Sequence, residues 1–118
     1  MGVDLNAVQA LDLWRGAIVE SVRREAPDLS ARQMALLLTV YLTPPPHTVR
    51  GLAGALNVSK PAITRALDRL SEYGLIRRKV DETDRRSVLV QRTVKGSVFL
   101  REFGDIIVSA AAGTHSSL

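Results

Sequence analysis

The chain has 118 residues, a hydrophobic content of 46% and a formal net charge of +4, which fits one domain with a core of its own. It contains no cysteine, and this excludes disulfides, thiolate metal sites and cysteine nucleophiles. Its two histidines, His47 and His115, lie far apart without metal-ligand spacing, so we expect neither a metal nor a cofactor.

The basic residues are concentrated in the middle of the chain. Residues 48–92 hold ten Lys or Arg against five Asp or Glu, whereas the rest holds six against seven. Such a bias suits a polyanionic partner such as DNA, and it equally suits a merely solvated surface. Charge alone leaves both interpretations open.

The ends and apolar segments of the sequence bear on its location. The first sixteen residues lack the basic start and apolar run of a secretory signal. The longest nearly apolar stretch, "MALLLTVYL", is far shorter than the ~18 residues that span a membrane. We therefore expect a cytoplasmic protein without a membrane partner.

The first predicted helix covers residues 4–25, where apolar side chains recur every three or four positions and Pro27 ends the pattern. Leu13, Ala17 and Val19 extend the apolar surface beyond one stripe. A helix that is apolar on more than one side usually has more than one packing partner. A core helix and a dimer interface both fit, and the pattern does not choose between them.

Two further helices follow. The segment "LSARQMALLLTVYLT" begins with Ser30 as N-cap and Gln33 at the position of a capping box, and the prolines at 44–46 end it. A short helix is then capped by Thr48. Asn57 suits the left-handed conformation that ends helices.

The fourth helix begins with Ser59 as N-cap and Pro61 in its first turn, where the missing N–H costs nothing. It ends near Tyr73, with Gly74 predicted as the C-cap. Together with the preceding short helix it makes a helix-turn-helix over residues 48–73.

A β-hairpin and a last helix complete the pattern. The runs "LIRRKV" and "SVLVQR" predict two strands within residues 75–92, and the polar segment 81–86 predicts a long tip. Thr93 caps a helix over residues 94–112, which leaves a frayed tail, 113–118. The predicted fold is mainly α with a small β-hairpin, a winged helix-turn-helix.

The outer face of the fourth helix is polar and basic. Its apolar side chains share one face, which leaves the following residues outward: Lys60, Pro61, Thr64, Arg65, Asp68 and Arg69. Arginine forks onto guanine in the major groove, and hydroxyl groups such as that of Ser59 suit phosphates. The alternative is a solvated helix with charge pairs among Arg65, Asp68 and Arg69. The neighbouring turn, cap and hairpin favour DNA recognition.

The hairpin tip places Arg85 and Arg86 at the end of a ribbon, where an arginine can enter a narrow minor groove. The aspartates beside them can hold an arginine by a charged hydrogen bond. The alternative is an acidic, disordered turn.

The segments "VSKPAITRALDRLSEYGLI" and "DETDRRSVLV…TVKG" carry a resemblance that runs from about residue 30 to residue 96. This region is similar to the MarR family of winged-helix bacterial transcription regulators. The resemblance implies a major-groove recognition helix, 59–73, and a minor-groove wing, 81–86. The implied DNA-binding positions are Ser59, Lys60, Thr64, Arg65, Arg69, Arg85 and Arg86, with Asp84 steadying a wing arginine.

The resemblance further implies a homodimer on a palindromic operator and release of DNA by a small-molecule effector. Residues 1–29 and 94–112 would then form the dimerisation region. The chain departs from the family pattern at Thr83, where many members carry a wing arginine, and at Arg92, which replaces a common leucine. It also has one helix after the wing, where members usually have a further long one.

The expected function is that of a sequence-specific DNA-binding transcription regulator. Repression is the expected outcome, although no residue separates it from activation. The alternative is a winged-helix module that binds another protein without specific DNA binding. An enzyme is not expected, because the sequence has no glycine-rich phosphate loop, metal cluster or nucleophile–base pair.

Overall fold

A computed structural model describes residues 4–114. Of the predicted tail, 113–118, the first two residues belong to the last helix, and His115 with the remaining residues lies outside the described residues. Five helices and three strands follow one another as α1 (Ala7–Arg23), α2 (Ala31–Leu42), β1 (His47–Thr48), α3 (Val49–Leu56), α4 (Lys60–Glu72), β2 (Ile76–Asp81), β3 (Asp84–Arg92) and α5 (Val94–Thr114). The predicted class, mainly α with a small sheet, is confirmed. Residues 29–99 form one compact unit, and α1 with the part of α5 from residue 100 onward forms a second.

The helix starts follow from side-chain caps. Ser30 accepts the N–H of Gln33 at 3.1 Å and Gln33 accepts the N–H of Ser30 at 2.9 Å, which confirms the capping box of α2. Asn6 caps α1 in the same way. The helix therefore begins at Ala7 and ends at Arg23, inside the predicted 4–25.

The core of the unit 29–99 forms around α4. One face of this helix is buried, namely Ala62, Ile63, Ala66, Leu67 and Leu70. Leu36, Leu37 and Val40 of α2 are buried as well, as are Leu52, Leu75, Ile76 and Val90. Because this face of α4 is fixed in the core, the direction of its polar face is fixed too.

The sheet has three antiparallel strands in the order β1-β3-β2, which corrects the predicted two-stranded hairpin. The added strand is β1, where His47 pairs with Val90 and Thr48 with Leu89. Two residues are too few to show a strand's alternating pattern, so the sequence carried no signal for it.

The tip of the hairpin is shorter than predicted. The strands reach Asp81 and Asp84, so only residues 82 and 83 form the turn instead of 81–86. Val80 pairs with Val88, whereas Asp81 pairs with Asp84, which leaves residues 85–87 as a bulge on β3. A bulge bends its strand and redirects the side chains that it carries.

The base of the hairpin is joined to α2 by Tyr41. Its hydroxyl donates to the carbonyl oxygen of Leu75 at 2.7 Å and accepts the N–H of Thr93 at 2.8 Å. A Cβ on Gly96 would collide with both that hydroxyl and that carbonyl. The absence of a side chain at Gly96 therefore allows α5 to start against this contact.

Two further residues at the base have clear local roles. Arg92 donates to the carbonyl oxygens of Val40 at 2.9 Å and Thr43 at 3.0 Å, so a cation satisfies the C-terminal end of α2. At the end of α4 the C-cap is Tyr73 and not Gly74, which follows it with φ 75°. Glycine adopts that left-handed conformation without strain.

The second unit pairs α1 with the later part of α5. Trp14 and Phe103 meet edge to face with centroids 6.3 Å apart, and Arg24 binds Glu102 at 3.1 Å. Val8, Leu11 and Val22 lie well away from the buried Ala17 around α1 and are exposed. None of the helices in residues 4–114 has the length and apolarity to cross a membrane.

We predict that Gly96→Ala lowers the free energy of unfolding by about 1–3 kcal/mol, because the new methyl group must displace a hydroxyl and a backbone carbonyl. Gly54→Ala is the control, since its Cβ meets nothing within 4 Å and a helical alanine is favoured over glycine. Urea unfolding followed by circular dichroism measures both. Equal stability of the two variants would contradict the clash.

Candidate nucleic-acid interface

The polar face of α4 divides into two rows. Lys60, Thr64 and Asp68 follow one another at four-residue spacing, and Arg65 and Arg69 form the neighbouring row. All five side chains are exposed. The predicted positions on this helix are therefore accessible, but they point in two directions.

The first row faces the wing across a cleft of about 290 Å³. Residues of β1, α3, α4 and both wing strands line it: Thr48, Val49, Arg50, Lys60, Thr64, Arg78, Asp84, Arg86, Ser87 and Val88. Four of these side chains are cationic and one is a carboxylate. The cleft thus brings Lys60, Thr64 and Arg86 together from two parts of the sequence.

The second row lies on the other side of α4. Arg65 lines a separate cleft with residues 30–33, at the first turn of α2. It makes no ion pair within residues 4–114. Arg69 binds Glu72 at 3.1 Å and lies over the ring of Tyr73.

The charge pairs among Arg65, Asp68 and Arg69, which the alternative of a solvated helix required, do not form. Asp68 binds Arg78 of β2 at 2.7 Å instead. The alternative of a helix whose polar face satisfies itself is therefore wrong for Arg65 and Asp68. The partner from β2 was not visible in the sequence because ten residues and a chain reversal separate the two side chains.

The start of α4 is organised by Ser59. Its hydroxyl accepts the N–H of Ala62 at 3.4 Å, and its carbonyl accepts the N–H of Ile63 at 3.0 Å. The side chain is exposed. A helix start of this kind favours an anion through its remaining N–H groups and the helix dipole.

Asp84 contacts Arg86 near the tip of the wing. One carboxylate oxygen accepts both the backbone N–H of Arg86 at 3.2 Å and its Nε at 3.4 Å. The guanidinium end still projects outward, since the side chain is 94% exposed. Asp84 thus directs a cation that remains available to a partner.

The two wing arginines have different surroundings. Arg85 binds Glu82 across the turn at 3.3 Å and does not line the cleft, whereas Arg86 does. The sequence did not separate them because they are adjacent. Adjacent residues of a strand project to opposite sides, and in the structure Arg86 lies with the first row of α4.

Thr83 has a structural role at the tip. Its hydroxyl and its N–H both donate to Asp81, at 2.7 Å and 2.9 Å. The hydroxyl bond is the main cause that holds the pKa of Asp81 below its ordinary value of 3.8, and the N–H bond is the next. The carboxylate therefore stabilises the turn above the ordinary pKa, and this contribution is lost as the pH falls through the lowered value.

Sequence reasoning missed Arg50 and Arg78 as cleft residues. Both belong to the basic middle of the chain, which was the only signal for them. Within residues 4–114, no group of three or more histidine and carboxylate side chains lies close enough to hold a metal ion.

Comparison with known proteins places this geometry in context. Residues 29–88 match the family model described as MarR family. The transcriptional regulator BldR from Sulfolobus solfataricus is 30% identical, with 94% of this chain and 80% of that chain covered and a TM-score of 0.64. Two other structures share the fold. YusO from Bacillus subtilis is 22% identical, and the match covers 95% of this chain and 78% of YusO with a TM-score of 0.77. A MepR variant of S. aureus bound to an oligodeoxyribonucleotide is 23% identical, and the match covers 94% of this chain and 79% of the MepR chain with a TM-score of 0.78.

Proposed function

Because this chain belongs to the MarR family of winged-helix, DNA-binding transcription regulators, we propose that it binds a palindromic operator as a homodimer and represses transcription there. The family consists of regulators, so the expectation that the chain is not an enzyme is confirmed. We further propose, on the family resemblance, that a small-molecule effector releases the DNA.

The observation that supports this proposal most strongly is the cleft between α4 and the wing. It joins Lys60 and Thr64 on the helix to Arg86 on the wing, and Asp84 directs that arginine outward. A duplex presents phosphates on both sides of each groove. The row of Lys60 and Thr64 would lie in the major groove while Arg86 enters the adjacent minor groove. The protein would then contact two neighbouring grooves of the duplex at once.

The proposed contacts divide by chemistry. Lys60, Ser59 and Thr64 suit backbone phosphates, which position the protein without reading bases. Arg65 is exposed and has no ionic partner in the described chain, so its guanidinium is available to fork onto guanine. Arg69 and Arg85 must exchange a carboxylate partner for DNA.

The homodimer is supported by the exposed apolar face of α1. Val8, Leu11 and Val22 are between 59% and 70% exposed on one helix. Large apolar side chains grouped in this way mark an interaction surface. A second copy is the partner that a palindromic operator requires, with half-sites ~34–36 Å apart.

The winged-helix protein-binding module is the second candidate, and the same apolar face favours it. The two candidates differ in their partner for α4. A DNA-binding domain has a use for an Arg86 that Asp84 directs outward beside three other cations of the cleft, whereas a protein-binding module does not require this arrangement.

We predict that Arg65→Ala and Lys60→Ala weaken operator binding in different ways. Loss of Arg65 should cost about 1–3 kcal/mol and relax the preference for one base, because the base contact disappears. Loss of Lys60 should weaken binding to all duplexes alike. It should also lower the slope of the logarithm of affinity against the logarithm of salt concentration by the share of about one phosphate contact. Fluorescence anisotropy with operator and scrambled duplexes measures both. Operator affinity equal to wild type in both variants would refute the assigned contacts.

We also predict that Leu11→Glu converts the dimer to a monomer at micromolar concentration, because it places a charge in the apolar face. Ala10→Glu is the matched control, since it adds the same charge at an exposed neighbouring position on another side of α1. Analytical ultracentrifugation gives the mass of each. A monomeric wild type, or two variants of the same mass, would argue against this interface.

A further inference from the structure

The ion pair between Asp68 and Arg78 joins the recognition helix to the wing. Asp68 Oδ1 lies 2.7 Å from Arg78 Nη1, and the Arg78 side chain is only 30% exposed. The other ion pairs found within residues 29–99 connect neighbours in sequence, at spacings of two or three residues. Among these pairs, Asp68–Arg78 alone links α4 with the hairpin.

The pair continues the cleft-facing row of α4. Asp68 lies one turn beyond Thr64, and Arg78 lines the same cleft as Thr64 and Arg86. Arg78 is opposite Val90 in the sheet, two residues before the irregular step at Val80. The ion pair therefore joins α4 to β2 two residues before the irregular step in the strand pairing.

The burial of β2 shows why this contact matters. Ile76 at the start of the strand is buried, whereas none of the residues from Arg77 to Val80 is. Apolar packing thus fixes the base of β2 but not its outer half. A partly exposed ion pair contributes little to overall stability, so its removal should leave the protein folded and reveal any effect on the orientation of the wing.

We propose that Asp68 and Arg78 are a positioning pair that sets the separation between α4 and the wing, so that the helix and Arg86 contact DNA at the same time. The pair also neutralises Arg78, which leaves Arg86 as the wing arginine of the cleft whose side chain is largely exposed. This proposal rests on the DNA-binding function proposed above. It concerns two residues that need not touch DNA themselves.

The test measures how much Arg86 contributes to binding with and without the pair. In the wild type, Arg86→Ala should weaken operator binding about tenfold. In an Asp68→Asn background the same change should cost roughly twofold or less, because a misplaced wing no longer delivers Arg86. If Arg86 acted independently of the ion pair, Arg86→Ala would reduce operator affinity by the same factor in both backgrounds.

Glu72→Gln is the matched control, because it removes the same charge from the same helix and breaks an ion pair that does not reach the wing. In that background, Arg86→Ala should still cost about tenfold. Arg78→Gln is the second variant and should reproduce the behaviour of Asp68→Asn. An equal loss from Arg86→Ala in all backgrounds would overturn the proposal.

Amide hydrogen exchange in the free protein separates this proposal from the DNA-binding function itself. Asp68→Asn should speed exchange severalfold at the wing amides of Thr83 and Arg86 and leave the α2 and α4 core amides unchanged. Unchanged wing exchange would refute the positioning role. If the wild type bound no duplex, the DNA-binding function would be overturned, and with it the role of the pair on DNA. This would hold even if amide exchange in the wing were faster in Asp68→Asn.

Discussion

The hydroxyl of Tyr41 is the contact on which the DNA-binding unit depends. It donates to Leu75 and accepts from Thr93, the residues just outside the two ends of the β2–β3 hairpin. One side chain on α2 therefore closes the base of the wing. The contact requires Gly96, because any side chain there would enter the space of this hydroxyl. This contact fixes the base of the wing relative to α2.

Polar contacts then guide the wing at increasing distance from that base. Asp68 binds Arg78 halfway along β2, and Asp84 holds Arg86 near the tip. Beyond Ile76, β2 has no buried side chain, so these contacts replace apolar packing. Carboxylates in a DNA-binding surface oppose binding by their charge, but here each directs an arginine. On the proposed function, Asp68 and Asp84 thus belong to the recognition surface.

Local signals made most of the fold predictable from the sequence. The caps at Ser30, Thr48 and Ser59 depend on residues three positions apart, and each helix starts where they predict. The strand at residues 47–48 and the bulge at 85–87 depend on pairing with distant residues, so no local pattern announced them. The site was predictable by residue type, but the selection of Arg86 over Arg85 and the partner of Asp68 required the fold.

The most direct test of the account is selection of bound sequences from a random duplex pool by the wild-type protein at low salt. Two copies that each place α4 in a major groove and Arg86 in a minor groove predict an enriched palindrome, with half-sites ~10 base pairs apart centre to centre. The enriched duplexes should bind far more weakly as salt rises. A pool that shows no enrichment would contradict the account and favour a winged helix that binds protein.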